Sequence, residues 1–206
     1  MRNFFLLAIA ILLVACSKTE LLDDLPSPES GIVINGVRWA TRNVAAPGTF
    51  AQNPEDAGMF FQWNRKIGWI YNDGEVKNSD GATTWNRGNP AGVEWAEDNN
   101  PCPRGWRVPT EAELISLRNA GGSWRTLNGV RGRLFGTPTN GIFLPAAGWL
   151  DQGTGYHHDE STLGLYWSCT QSGNNRARNM TFSSRLVGGM RSNARASGHS
   201  IRCVAD

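Results

Sequence analysis

Three Asn-Gly dipeptides, at Asn35-Gly36, Asn128-Gly129 and Asn140-Gly141, punctuate short apolar runs in a chain of 206 residues. Asn and Gly both tolerate positive φ, which a tight hairpin turn with the right twist demands. The flanking runs therefore read as antiparallel strands: 32–34 with 37–39, 124–127 with 130–135, then 142–144. Residues 165–170, 179–182 and 200–204 carry further strand signals. One helix is expected, after Pro109. Thr110 and Glu113 form a capping box, Leu114 and Leu117 an apolar stripe, and Gly121-Gly122 a stop. From residue 68 to 101 the chain is rich in Gly, Asn and Asp and reads as a long loop anchored by Trp69, Trp85 and Trp95. A loop of that length in a compact domain usually serves a function. The 24 Gly and 10 Pro, with only 18% charged residues, exclude coiled coils, helix bundles and solvated disordered chains. The expected fold is α+β, with mostly antiparallel sheets, one main helix and long ordered loops.

The start of the chain reads as an address. Arg2 precedes an apolar run over 4–15 that is too short for a permanent span and has the proportions of a secretory h-region. It ends in Leu13-Val14-Ala15-Cys16, which resembles the lipobox of a bacterial lipoprotein. Residues 1–15 are then a signal peptide, and Cys16 carries acyl chains that hold the protein on a membrane. Residues 16–30, polar and with two prolines, read as a tether. Its acidic residues resemble the surface-export signals of Bacteroidetes lipoproteins, interrupted here by Lys18, Thr19 and Leu21. The expected location is the outer membrane, lipid-anchored, at the cell surface, with residues 31–206 as the folded domain. With Cys16 lipidated, Cys102, Cys169 and Cys203 remain in an oxidising compartment, giving one pair and one leftover thiol. Spacing leaves the three pairings open; Cys102–Cys203 would close a loop worth about 4–5 kcal/mol. A net charge of +2 is too mild to point to nucleic acid as a partner.

Five segments then occur in order: Val37-Arg38-Trp39-Ala40-Thr41-Arg42-Asn43-Val44, Cys102-Pro103-Arg104-Gly105-Trp106-Arg107-Val108-Pro109, Leu144-Pro145-Ala146-Ala147-Gly148, Tyr166-Trp167-Ser168-Cys169-Thr170 and Ile201-Arg202-Cys203-Val204. Together they resemble the Fibrobacter succinogenes major paralogous domain, a lineage similar to C-type-lectin-like folds. The resemblance covers residues 31–206. It implies a small mixed domain closed by its terminal strands, with ligand-contacting loops on one side, and it favours the Cys102–Cys203 bridge. Cys169 departs from the family's usual Tyr-Trp-Ser-Ser.

Catalytic and metal-binding constellations are thin. His157-His158-Asp159-Glu160 supplies ligand types, but neighbours on a strand point apart, so a solvated loop tip is expected. Glu97, Asp98, Asn99 and Asn100 offer oxygens without calcium-loop spacing. No metal and no cofactor are expected. Formylglycine-generating oxidases share a similar fold and use paired reactive thiols; here Cys169 stands alone without a basic neighbour. No nucleophile elbow is present, and the chain is expected not to be an enzyme.

The most informative stretch is 172–200. It contains no Lys, Asp, Glu, Gln, Trp or Tyr, and abounds in Arg, Asn, Ser, Gly and Ala. Randomising both adenines of an Asn codon (AAC) yields residues of this kind and never Lys, Glu, Gln, Met or Trp. Every residue of the stretch except Met180 and Met190 lies within that set. This is similar to the C-terminal variable region of proteins diversified by retroelements through adenine mutagenesis. The blander account is a Ser/Gly/Asn-rich hairpin pair. Either way the chemistry suits binding, through forked Arg donors and paired Asn groups. The expected ligand-binding residues are Gln171, Asn174, Asn175, Arg176, Arg178, Ser183, Arg185, Arg191, Asn193, Arg195 and His199, with Trp167 as fixed scaffold. The expected function is capture of an extracellular protein or glycan; the alternative is a structural subunit of a surface appendage such as a pilus.

Overall fold

A computed structural model describes residues 29–206. The expected signal peptide, the expected lipidation site Cys16 and the expected tether up to residue 28 lie outside the described residues. The first described residue is already part of the fold. The Glu29 carboxylate accepts hydrogen bonds from Gly31 N, Thr41 N and Thr41 Oγ1 and pairs with Arg42 Nε at 3.0 Å. Burial works to raise its pKa, but the hydrogen bonds from Thr41, Arg42 and Gly31 outweigh it and hold the carboxyl below its ordinary range. The contacts of the fold therefore reach back to Glu29, two residues before the expected start of the domain at residue 31.

The architecture is mostly antiparallel sheet with one helix. Ile32–Ile34 and Val37–Trp39 form the first hairpin, turned by Asn35 (φ 49°) and Gly36 (φ 82°). The last strand, Val204–Ala205, pairs with Trp39 on one side and with Trp106–Arg107 on the other, so the two ends of the domain share a four-stranded sheet. The helix spans Glu111–Asn119. Thr110 Oγ1 accepts from Glu113 N, and the Glu113 carboxylate accepts from Thr110 N and, in a fork, from Arg107. Gly122–Leu127, Val130–Gly136 and Gly141–Pro145 make a meander, and Trp149–Leu150 pairs with His157–His158. The C-terminal sheet consists of Gly164–Gln171, Arg176–Phe182 and Gly189–Ala194.

Two segments differ from the expectation. Within the supposed long loop, Gly68–Asn72 and Glu75–Asn78 form a hairpin against Phe60–Phe61. Asp73 (φ 51°) and Gly74 (φ 88°) turn it, an Asp-Gly signal of the same kind as Asn-Gly. Residues 200–203 are extended but join no ladder of their own. They thread between the terminal and C-terminal sheets, bridging to Leu165 and Trp167 on one side and to Ala40 and Val44 on the other.

Burial explains why this thread is fixed. One core gathers Trp39, Leu114, Leu117, Phe135, Tyr166, Met180 and Phe182 beneath the helix. Gly164 lets the Phe182 ring lie flat on the backbone, where a Cβ would come within 2.1 Å of it. A second core holds Trp63, Trp167 and Ile201 around the Cys102–Cys203 disulfide, whose Cα atoms are 6.1 Å apart. Arg202 is wholly buried and donates to Asn43 Oδ1 and to the carbonyls of Ala40, Thr41 and Phe143. Burial lowers its pKa to about 10. The third core sets Trp69 edge-to-face against Trp85, with ring centroids 4.8 Å apart, beside Phe60 and Leu150.

Candidate functional site

Strand geometry decides which residues of the 171–199 segment can meet a ligand, because successive side chains point to opposite faces. Arg176, Arg178, Met180 and Phe182 share a face with Ala194, Ser192 and Met190, and this face packs toward the helix. Arg178 spends its guanidinium there, 3.6 Å from Glu111. Ala177, Asn179 and Thr181 share the other face with Asn193, Arg191 and Gly189. Ala177 and Asn179 are buried on that side, against the Trp167 core.

Most of the accessible side chains therefore fall into two groups at opposite ends of the sheet. Gln171, Asn174, Asn175 and Arg176 are exposed at one hairpin tip. Arg185 and Val187 are exposed at the other, where Ser183 Oγ accepts from the amides of Arg185 and Leu186, and Arg191 is exposed between the two ends on the edge strand, paired with Asn179. The seven residues of Arg176–Phe182 separate these ends by about 20 Å at 3.3 Å per residue. A single compact ligand does not bridge them. The guanidinium groups of Arg185 and Arg191 carry no hydrogen bond or ion pair among the described residues, whereas that of Arg176 is held by Ser192 through both its backbone oxygen and its Oγ.

Two expected contacts are corrected. Arg195 is 1% exposed and His199 is fully buried, so neither has surface to present to a ligand. His199 stacks on Trp167 with ring centroids 3.8 Å apart, and burial pushes its pKa down to about 3. Its neutral Nε2 lies 3.4 Å from the amide nitrogen of Asn193, which turns that half-buried side chain inward too.

Arg195 instead builds the site. Its guanidinium lies 4.2 Å over the Trp63 ring. It donates to Gly92 O at 2.7 Å, Gly173 O at 2.9 Å, Arg176 O at 3.2 Å, and Pro90 O and Gln171 Oε1 at 3.3 Å. One side chain thus ties the hairpin tip to the crest of the 86–99 loop. Asn89 adds a bond to Asn174 O, and Arg65 one to Gly88 O. Asn64 (φ 53°) locks the loop from below, donating to Ala91 O and accepting from Ala96 N and Asn99 Nδ2. Beside the tip lies an open hollow of about 570 Å³ lined by Asn64, Arg65, Asn89, Pro90 and Asn99. Of these residues only Asn99 is singled out by the sequence, as an oxygen donor; Asn89 and Pro90 lie in the long loop, and Asn64 and Arg65 precede it with no local signal.

Several of the remaining candidates serve the frame. His157 sits against Ala147 O and Phe60, and Asp159 accepts from Trp149 Nε1. Asn100 bonds to Trp106 O and Cys102 N. Cys169 is a half-buried free thiol whose pKa is raised by burial. Among the described residues no group of three His, Cys, Asp or Glu is placed to hold a metal ion, and no helix is long and apolar enough to cross a membrane. Comparison with protein-family models, with curated proteins and with solved structures finds no match.

Proposed function

We propose that the chain is a lipid-anchored, cell-surface binding protein of C-type-lectin-like fold, with the family resemblance described above. Its ligand is an extracellular protein or glycan. The observation that carries this reading is the hairpin tip: Gln171, Asn174, Asn175 and Arg176 stand exposed on a backbone that buried Arg195 clamps to the loop beside them. Such a surface meets a partner with little ordering cost, and its amides and guanidinium match carbonyl, hydroxyl and carboxylate groups. Paired terminal strands and the Cys102–Cys203 bridge accord with the fold that the resemblance implies. The composition of the 172–200 stretch supports a face varied at its exposed positions on a constant frame.

The test is binding of the purified, unlipidated protein to arrayed glycans and to intact neighbouring cells. The reading expects saturable binding that drops at least tenfold when Asn174, Asn175 and Arg176 are replaced together by Ala, with the melting temperature unchanged. Binding unaffected by that replacement overturns it. Self-association into filaments in place of ligand capture would favour an appendage subunit.

A further inference from the structure

A second hollow lies away from the tip, on the hairpin Gly68–Asn72/Glu75–Asn78, and shares no residue with the surface above. Its volume is about 390 Å³, within the range of small-ligand pockets. Two tyrosines wall it, Tyr71 and Tyr156, with ring centroids 6.1 Å apart and planes at 63°. Tyr156 is 55% exposed, the only exposed large aromatic among the described residues. Neither phenol hydroxyl has a hydrogen-bond partner among the described residues. Glu75 and Arg87 line the same hollow, both exposed and neither in an ion pair among the described residues.

The aromatic wall is held in place rather than left to drift. Tyr156 ends a tight turn in which Asp151 Oδ1 accepts from Gly153 N, Thr154 N and Thr154 Oγ1, while Tyr156 N donates to Thr154 Oγ1. Asp151 N in turn donates to Tyr156 O. Gly155 (φ 75°) lies against the face of buried Trp85, where a Cβ would come within 2.9 Å of the indole. The Trp85 Nε1 donates to Gln152 O from below. The turn is thus pinned on the Trp69–Trp85 pair, and its apolar body is tied down while the phenol faces water.

We infer that this hollow binds a neutral saccharide, one pyranose face resting on Tyr156 and its hydroxyls held by Glu75 and Arg87. The C–H groups on one face of a pyranose carry partial positive charge and suit the negative face of an aromatic ring. Vicinal hydroxyls donate to a carboxylate and accept from a guanidinium, so a neutral polyol satisfies both charged groups. A phosphate or carboxylate ligand would meet Glu75 as a like charge, and a cationic one would meet Arg87. The inference goes beyond the proposed function, because the tip and this hollow can be occupied independently.

The experiment is saturation-transfer NMR and calorimetry on the purified protein, with glucose, mannose, N-acetylglucosamine, cellobiose and chitobiose as probes. At least one probe is expected to bind at millimolar affinity or tighter. Tyr156→Ala and Glu75→Gln, both at exposed positions, each lower that affinity roughly tenfold or more, and the triple replacement at Asn174, Asn175 and Arg176 leaves it unchanged. No binding by any probe at about 10 mM overturns the inference. So does binding that survives both Tyr156→Ala and Glu75→Gln, or that is lost only in the triple replacement.

Discussion

Replacing Arg195 by Ala should loosen the binding surface and cost about 3–4 kcal/mol. The side chain is 1% exposed, and its two short bonds, to Gly92 O and Gly173 O, are charge-assisted. Each such bond contributes about 1.5–3 kcal/mol. The Trp63 ring beneath the guanidinium adds about 2 kcal/mol, and the three longer bonds add little. Against this stands the relief of no longer burying a cation whose partners among the described residues are carbonyl and amide oxygens rather than a carboxylate, a cost of several kcal/mol. At about 2–4 °C per kcal/mol for a domain of this size, the melting temperature should fall by roughly 6–16 °C. Arg195→Lys should recover about half of the loss, since an ammonium reaches fewer acceptors and cannot stack flat. Amide hydrogen exchange locates the effect. The Ser172 amide, which donates to Arg176 O, and the Arg195 amide, which donates to Asn175 O, should lose protection. Leu114 in the helix should keep it. A shift under about 2 °C with unchanged exchange at Ser172 would refute the clamp.

Three other outcomes follow from the same geometry. Arg185→Ala and Arg191→Ala, at exposed and unpartnered positions, should change stability by less than about 0.5 kcal/mol in thermal melts; a larger loss would reveal framework roles. Stability should decline on acidification. His199 titrates near 6.5 in the unfolded chain and at about 3 when folded, so the unfolded state alone takes up its proton in that window, and several kcal/mol are lost as pH falls through it. Glu29 and Glu113, held below their ordinary range in the folded protein, add to the loss at the acid end. His199→Gln should flatten the melting temperature between about pH 6.5 and 4.5; an unaltered slope would show that the proton goes elsewhere. Replacing both Cys102 and Cys203 by Ser, whose bridge spans 101 residues, should cost about 4–5 kcal/mol in denaturant titrations, whereas Cys169→Ser should cost under about 1 kcal/mol.

The local signals in the chain were strong where one residue pair dictates a backbone shape. Asn35-Gly36 and Asn128-Gly129 turn hairpins at positive φ, and the Thr110–Glu113 box starts the helix. Asp73-Gly74 carried the same information but sat in a segment whose polarity masked two short strands. Composition misled in 195–200 because Arg, Ser, Gly and His read as solvent-facing. Their burial depends on partners 100 or more residues away, such as Pro90 and Gly92 for Arg195 and Phe61 for His199. The part of the site contributed by Asn64, Arg65 and Asn89 was hidden for the same reason. An Asn that locks a loop and an Asn that faces water look alike until the loop is folded.

The central claim is that the C-terminal segment meets its ligand only where the fold exposes it, the rest serving as a fixed frame. Sequencing the 3′ end of the gene and its flanking DNA tests this most directly. The account predicts a nearby near-copy of the segment encoding residues 166–206, beside a reverse transcriptase gene. Its adenine differences should fall on codons for exposed Asn174, Asn175, Arg176, Arg185 and Arg191 and spare those for buried Ala177, Arg195 and His199. The absence of any such copy, or differences as dense at Arg195 and His199 as at the tip, would contradict it.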